Sequence, residues 1–277
     1  MSAARSRKSQ SHPAAPGRRQ EAENELVLSY LAVRRAIGLL GFALPTLLLA
    51  IAAVSGDGFR PSISEYYYSV SGNIFVGVMA AIGVFLWSYV GYDAADRRWP
   101  TDRMVSRTAA VAAFGVALIP TANKLVFDPP REWPCTFAQC LLDPAVAQKL
   151  HYASAAVFFG ALAVASLVLF RRTKPGDDLT GNDPETRAKR ARNRIYAVCG
   201  WLILGCMALL AAFSVWYNMT DPAARAAIDR FAIVFWLETV AVLAFATSWL
   251  VKGESLKPLE KLTRKMMSDT PGPGAAR

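Results

Sequence analysis

The stretch FAIVFWLETVAVLAFATSWLV, from Phe231 to Val251, is 21 residues long and carries a single charge, Glu238. A helix rises about 1.5 Å per residue, so about 20 apolar residues cross the hydrocarbon of a bilayer. The stretch therefore reads as a membrane-spanning helix. Five more such blocks lie upstream, at Ala36–Val54, Ile74–Tyr92, Met104–Ala122, Leu150–Phe170 and Ile195–Tyr217. In a chain of 277 residues that is 53% hydrophobic, apolar residues gathered into blocks indicate lipid as the solvent. The expected fold class is all-α, a polytopic transmembrane bundle of six helices.

Two blocks carry blemishes. Arg107 falls inside the third and Pro120 near its end, but Arg107 lies one turn from the start, where its side chain can snorkel to the headgroups. Pro45 should kink the first, which neighbouring helices tolerate. A 35-residue lead before a 19-residue block does not fit a secretory signal, so the first block is expected to be retained.

The net charge of +10 is distributed asymmetrically. The N-terminal tail to Arg35, the second connection counted with Arg107, the fourth connection and the C-terminal tail carry 7, 4, 8 and 6 Lys and Arg. The first, third and fifth connections carry 1, 3 and 2. Basic residues favour the cytoplasmic side, so both termini are expected inside a bacterial inner membrane, where the basic flanks meet anionic headgroups. That patterning excludes nucleic acid as a partner. Residues 1–24 are polar and basic and are expected to stay disordered. Residues 25–252 form the transmembrane domain and 253–277 a cytoplasmic tail. ENELVLSYLAVRRA reads as a helical extension of the first span, or as an interfacial helix.

Cys135 and Cys140, in WPCTFAQCLLDP, fall in the long third connection on the outer side. Their spacing suits a small structural disulfide; a zinc site would need further ligands that this loop lacks. Cys199 and Cys206 are two turns apart on one helix face and read as packing.

Polar residues that spans do not need mark the candidate site. Glu238 would lie about 10 Å deep, where an ionisable group is costly unless it meets a wet cavity or a partner. It is either a functional group or a structural hydrogen-bonding one. His151 opens the fourth span, Asn123 and Lys124 close the third, and Asn218 closes the fifth. Glu65, Tyr66, Tyr67, Tyr68 and Asn73, in RPSISEYYYSVSGNIF, precede the second. Alternating helix directions bring all of these to the outer third of the bundle. The tyrosines suit an aromatic belt, with at least one turned inward. Trp133, Tyr152, Trp216 and Tyr217 would share the outer girdle, and Trp87, Trp99, Tyr196, Trp201 and Trp249 would form the inner one.

The stretch PSISEYYYSVSGNIFVG, followed by a span ending in YVGYD, resembles the first outer loop of uncharacterised six-helix bacterial membrane proteins. Its "IS" ahead of a span beginning with Phe is distantly similar to the DRAM/Sfk-type family. That resemblance implies an integral membrane protein without an established reaction. SEYYYSVSGNIFVG also loosely resembles the alkaline ceramidase and adiponectin-receptor superfamily, which holds a zinc on three histidines. His151 has no partner four residues on, and Asn73 stands where a second His belongs, so no metal and no cofactor are expected.

The functional expectation is non-enzymatic: an outer-leaflet polar pocket of Glu65, Tyr66, Tyr67, Tyr68, Asn73, Asn123, Lys124, His151 and Glu238 that binds a lipid or amphiphile headgroup. Membrane lipids are the expected partners, and the sequence is compatible with a homo-oligomer. The alternatives are a proton-coupled transporter using Glu238 and a ceramidase-like hydrolase. The first lacks an inverted repeat, and the second lacks a nucleophile motif such as G-x-S-x-G or S-x-x-K.

Overall fold

Asp143, Asp183 and Asp221 each stand directly before a proline, and each starts a helix. The Asp carboxylates accept from the backbone N–H groups of Ala145, Thr186 and Ala223 at 2.8, 2.9 and 2.8 Å. Proline fits the next position because its missing N–H would find no intrahelical partner there. A computed structural model describes residues 16–56, 58–89, 91, 98–122, 135–172, 180–181 and 183–253, the side chains of 16–30 and of 226 excepted.

Every regular element among these residues is helical. In order they are α1 (Pro16–Ser55), a 3-10 turn (Ser64–Tyr68), α2 (Gly72–Ser88), α3 (Asp102–Leu118), α4 (Phe137–Leu141), α5 (Pro144–Val164), α6 (Pro184–Met219), α7 (Pro222–Asp229) and α8 (Ile233–Lys252). A π-helical turn at Ala165–Leu169 prolongs α5. Leu31–Ser55, Pro144–Leu169, Pro184–Met219 and Ile233–Lys252 are long and apolar enough to cross a membrane. Helix α2 is apolar but has only 17 residues, and α3, also 17 residues, is rich in alanine.

Several boundaries differ from the sequence reading. Helix α1 starts at Pro16, inside the stretch expected to be unstructured, and makes residues 23–36 an extension of the first span. Helix α6 takes in residues 184–194, read as part of a basic loop. Its Asp183 cap, Pro184 start and run of Ala, Arg and Lys favour helix irrespective of hydropathy. Residues 254–277 lie outside the described residues.

The long helices close a ring: α1 packs on α2, α2 on α3, α3 on α5, α5 on α6, α6 on α8, and α8 back on α1. The α1–α8 seam is tightly packed. A Cβ on Gly38 would come within 2.6 Å of Leu250 Cγ, and one on Gly41 within 2.9 Å of Ala246 Cβ. Small residues at one helix spacing let the two backbones approach. Inside the ring, Phe158, Phe245, Trp249 and Phe170 contact edge to face. Outside it, Leu39, Val84, Val111, Val157, Trp201 and Leu209 are exposed, the surface that lipid tails would cover. Tyr196 and Trp249, expected in the inner aromatic girdle, are instead buried, because Tyr196 packs edge-on against Phe170 and Trp249 against both Phe170 and Tyr89. Trp87, Trp99 and Trp201 are exposed. Trp133 lies outside the described residues.

One end of the bundle is tied by basic side chains. Buried Arg34 donates to the Tyr89 hydroxyl at 2.9 Å and to the Lys252 carbonyl at 3.4 Å, and Arg35 donates to the Gly253 carbonyl at 3.0 Å. These bonds lock the beginning of the first span to the end of the last. Helix α2 runs from Tyr89 to the other end, about 25 Å away at helical rise.

Candidate functional site: a polar turn held by three helices

The segment from Pro61 to Ser71 is too polar to sit among apolar helices unless each of its groups finds a partner. Helix α8 supplies the first set. Its Glu238, half-buried in the second turn, accepts from the Ile63 backbone N–H at 2.6 Å and from the Ser62 hydroxyl at 2.9 and 3.2 Å. Two oxygens thus satisfy donors that would otherwise be stranded, and the turn in return supplies the partners that an acid at this depth requires.

The exchange runs both ways. Helix α8 is preceded by Ala232, which has φ +48° and offers no capping side chain, so its first N–H groups lack side-chain acceptors from the cap. The Pro61 carbonyl accepts from Phe235 N at 2.8 Å, filling one of them. Phe59 packs edge-on against Phe235 at 4.7 Å and also stacks on Trp236, closing the apolar side of the junction.

Helix α5 supplies the second partner. His151, 1% exposed, places Nδ1 2.6 Å from the Ile119 carbonyl and Nε2 2.9 Å from the Ser64 hydroxyl. A carbonyl only accepts, so Nδ1 carries the hydrogen. In the neutral ring Nε2 is then the acceptor and Ser64 the donor. The Ser64 N–H in turn donates to Ser62 Oγ at 3.1 Å, joining the Glu238 and His151 contacts through two alternate serines.

The end of α3 supplies the third. Tyr68 donates its hydroxyl to the Thr121 carbonyl at 2.7 Å and accepts from Gln139 Nε2 at 2.8 Å. Gln139 is placed by α4, whose capping box pairs Thr136 with Gln139 and whose ends are stapled by a Cys135–Cys140 disulfide with Cα atoms 5.4 Å apart. Burial pushes the Tyr67 and Tyr68 phenols up, so both hydroxyls stay protonated at neutral pH. Removing the Tyr68 hydroxyl should cost about 1 kcal/mol, since the Thr121 carbonyl loses its donor. Thermal unfolding of Tyr68→Phe in detergent should begin a few degrees below wild type, and an unchanged transition would contradict this bond's weight.

Of the residues expected at one pocket, the structure draws Glu65, Tyr66, Tyr68, His151 and Glu238 together in or around this turn, with Glu65 and Tyr66 buried. Tyr67 is half-buried. Asn73 is exposed on the first turn of α2. Asn123 and Lys124 lie outside the described residues. Asn218 is exposed, and its carbonyl accepts from Arg225 at 3.0 Å. The belt reading of the tyrosines gives way for Tyr66 and Tyr68, which are 0% and 8% exposed. They belong to a 3-10 turn folded down among the helices rather than to an α-helix rising to the interface. Sequence reasoning passed over Ser62, Ser64, Thr121 and Gln139. The signal for the two serines was the alternation in PSISE beside a lone intramembrane acid that needed donors.

Four helices long and apolar enough to cross a membrane, with apolar side chains exposed around the ring, indicate a multi-pass membrane protein. Compared with protein-family models, with curated proteins and with solved structures, the chain matches none.

Proposed function

We propose that this protein spans the cell membrane six times with both termini in the cytoplasm, and that the turn from Arg60 to Ser71 seats the headgroup of a lipid or similar amphiphile at the outer leaflet. Helices α2 and α3 complete the six spans, as their places in the closed ring favour. The excess of Lys and Arg in the tails and in the second and fourth connections supports the orientation.

One observation carries the reading: a turn bearing Arg60 and Glu65 is drawn down onto Glu238 at the end of an otherwise apolar ring. A turn whose sequence carries both a cation, Arg60, and a carboxylate, Glu65, suits a headgroup that offers both an anionic oxygen and hydroxyl or amine donors. Tails of such a molecule would lie along the exposed apolar faces of the helices. His151 holds the turn from behind, because both its nitrogens are engaged.

Mass spectrometry of lipids carried through purification in a mild detergent tests this. Wild-type protein should retain phosphatidylethanolamine or phosphatidylglycerol in stoichiometric amounts. Glu238→Gln and Arg60→Gln should each lower that retention several-fold while the protein stays folded. Equal retention by all three proteins would sink the proposal.

A further inference from the structure

We infer that Ser64 and His151 form a nucleophile–base dyad that cleaves or transfers an acyl ester of the amphiphile seated at the turn. The inference rests on the headgroup reading above and adds a reaction to it.

The geometry has the three parts that an activated serine needs. Ser64 Oγ lies 2.9 Å from His151 Nε2, within reach for direct proton transfer. The second ring nitrogen is tied to the Ile119 carbonyl at 2.6 Å, which fixes the tautomer that leaves Nε2 free to accept. In serine hydrolases a carboxylate does this orienting; a carbonyl performs the same orientation without adding a charge. Ser64 itself is pinned through its backbone N–H to Ser62 Oγ, which also donates to Glu238. Nucleophile, base and orienting group therefore come from the turn, from α5 and from the end of α3.

Exposure is graded in the useful sense. Ser64 is half-buried and can be approached, whereas His151 behind it is 1% exposed. A histidine kept only as a tether for the turn would serve equally well against a backbone carbonyl. Here it meets the one serine hydroxyl of the 3-10 turn.

The step balances without a metal or an oxidant. Ser64 Oγ attacks the acyl carbonyl as its proton passes to His151 Nε2, and the ester C–O bond breaks as that proton moves to the leaving alkoxide. Water, giving a proton to His151 Nε2, then attacks the acyl-serine; the acyl–Oγ bond breaks, Ser64 Oγ takes that proton back, and a carboxylic acid leaves. With an alcohol in place of water, the same site transfers the acyl group.

A fluorophosphonate probe, applied to the full-length protein in mild detergent and followed by peptide mass spectrometry, tests the inference. Wild-type protein should be modified at Ser64. The modification should vanish in Ser64→Ala and fall at least tenfold in His151→Gln. Hydrolysis of a short-chain p-nitrophenyl ester should follow the same order. No modification of folded wild-type protein, or undiminished labelling in folded His151→Gln, would overturn the dyad. If His151→Gln does not fold, the wild-type and Ser64→Ala results decide alone. Lipid retention measured in the same preparation keeps the two ideas separate: retained lipid without labelling removes the reaction and leaves the binding site, while labelling without retained lipid does the reverse.

Discussion

Replacing Glu238 by alanine is expected to be among the most damaging single changes in the molecule. The carboxylate accepts from Ile63 N and Ser62 Oγ, and deleting it leaves a backbone N–H and a hydroxyl without acceptors beside apolar helices. Hydrogen bonds to a charged group contribute about 1.5–3 kcal/mol each, and a buried donor left unmade costs a similar amount. A loss of about 3 kcal/mol is expected, seen as a large downward shift in the thermal transition in detergent. Glu238→Gln keeps an acceptor oxygen and should lose about half as much. The informative comparison is the double variant Glu238→Ala with Ser62→Ala. Its cost should fall below the sum of the two single costs, because the partners are already gone. Strict additivity would show that the contact contributes little.

The second large effect is expected at the α1–α8 seam. Gly41→Leu puts a four-carbon side chain where even a Cβ would meet Ala246 at 2.9 Å and the Phe245 ring at 3.0 Å. Neither neighbour can retreat, since Phe245 is 1% and Ala246 0% exposed. Overpacking of this kind costs about 1–3 kcal/mol even where some relaxation is available. The helices must separate, and the ties from Arg34 and Arg35 to the end of α8 go with them. Gly41→Leu should therefore yield little monodisperse protein, while Gly77→Leu, at a position where an added Cβ meets nothing within 4 Å, should behave like wild type. Equal yields from the two would refute the close-seam account.

The helices were legible because lipid imposes a length: an apolar block of about 20 residues has few other readings. Their ends were not, because hydropathy is silent once a helix leaves the apolar layer. Residues 184–194 show this, helical on the strength of Asp183 and Pro184 while charged throughout. The Asp-Pro pairs at 143, 183 and 221 carried the missing information.

At the site, Glu238 stood out as a lone acid in an apolar block, and its cost of burial implied a partner. The partner's identity was hidden because its strongest contribution is a backbone N–H, which every residue but proline carries. Ile63 also lies 175 positions away in sequence. The tyrosines misled for a geometric reason. An α-helix fans successive side chains by 100°, whereas the tighter 3-10 turn, packed against helices on several sides, buries Tyr66 and Tyr68 together. The inward placement of Tyr196 and Trp249 had no sequence signal beyond composition; aromatic residues near a span's end serve a girdle and a core equally well.

The Pro61 carbonyl and the Ile63 amide are made early and receive their mates only from the final span. At about 5–20 residues per second, a ribosome needs roughly 9–35 s to traverse the interval between them. For that period these two groups wait for their partners while Thr121, Gln139 and His151 can already hold the rest of the turn, so the architecture matures through its last-made helix. A message that stops short of α8 forfeits that latch as well as one-sixth of the ring, leaving behind the kind of unfinished intermediate that membrane quality control removes.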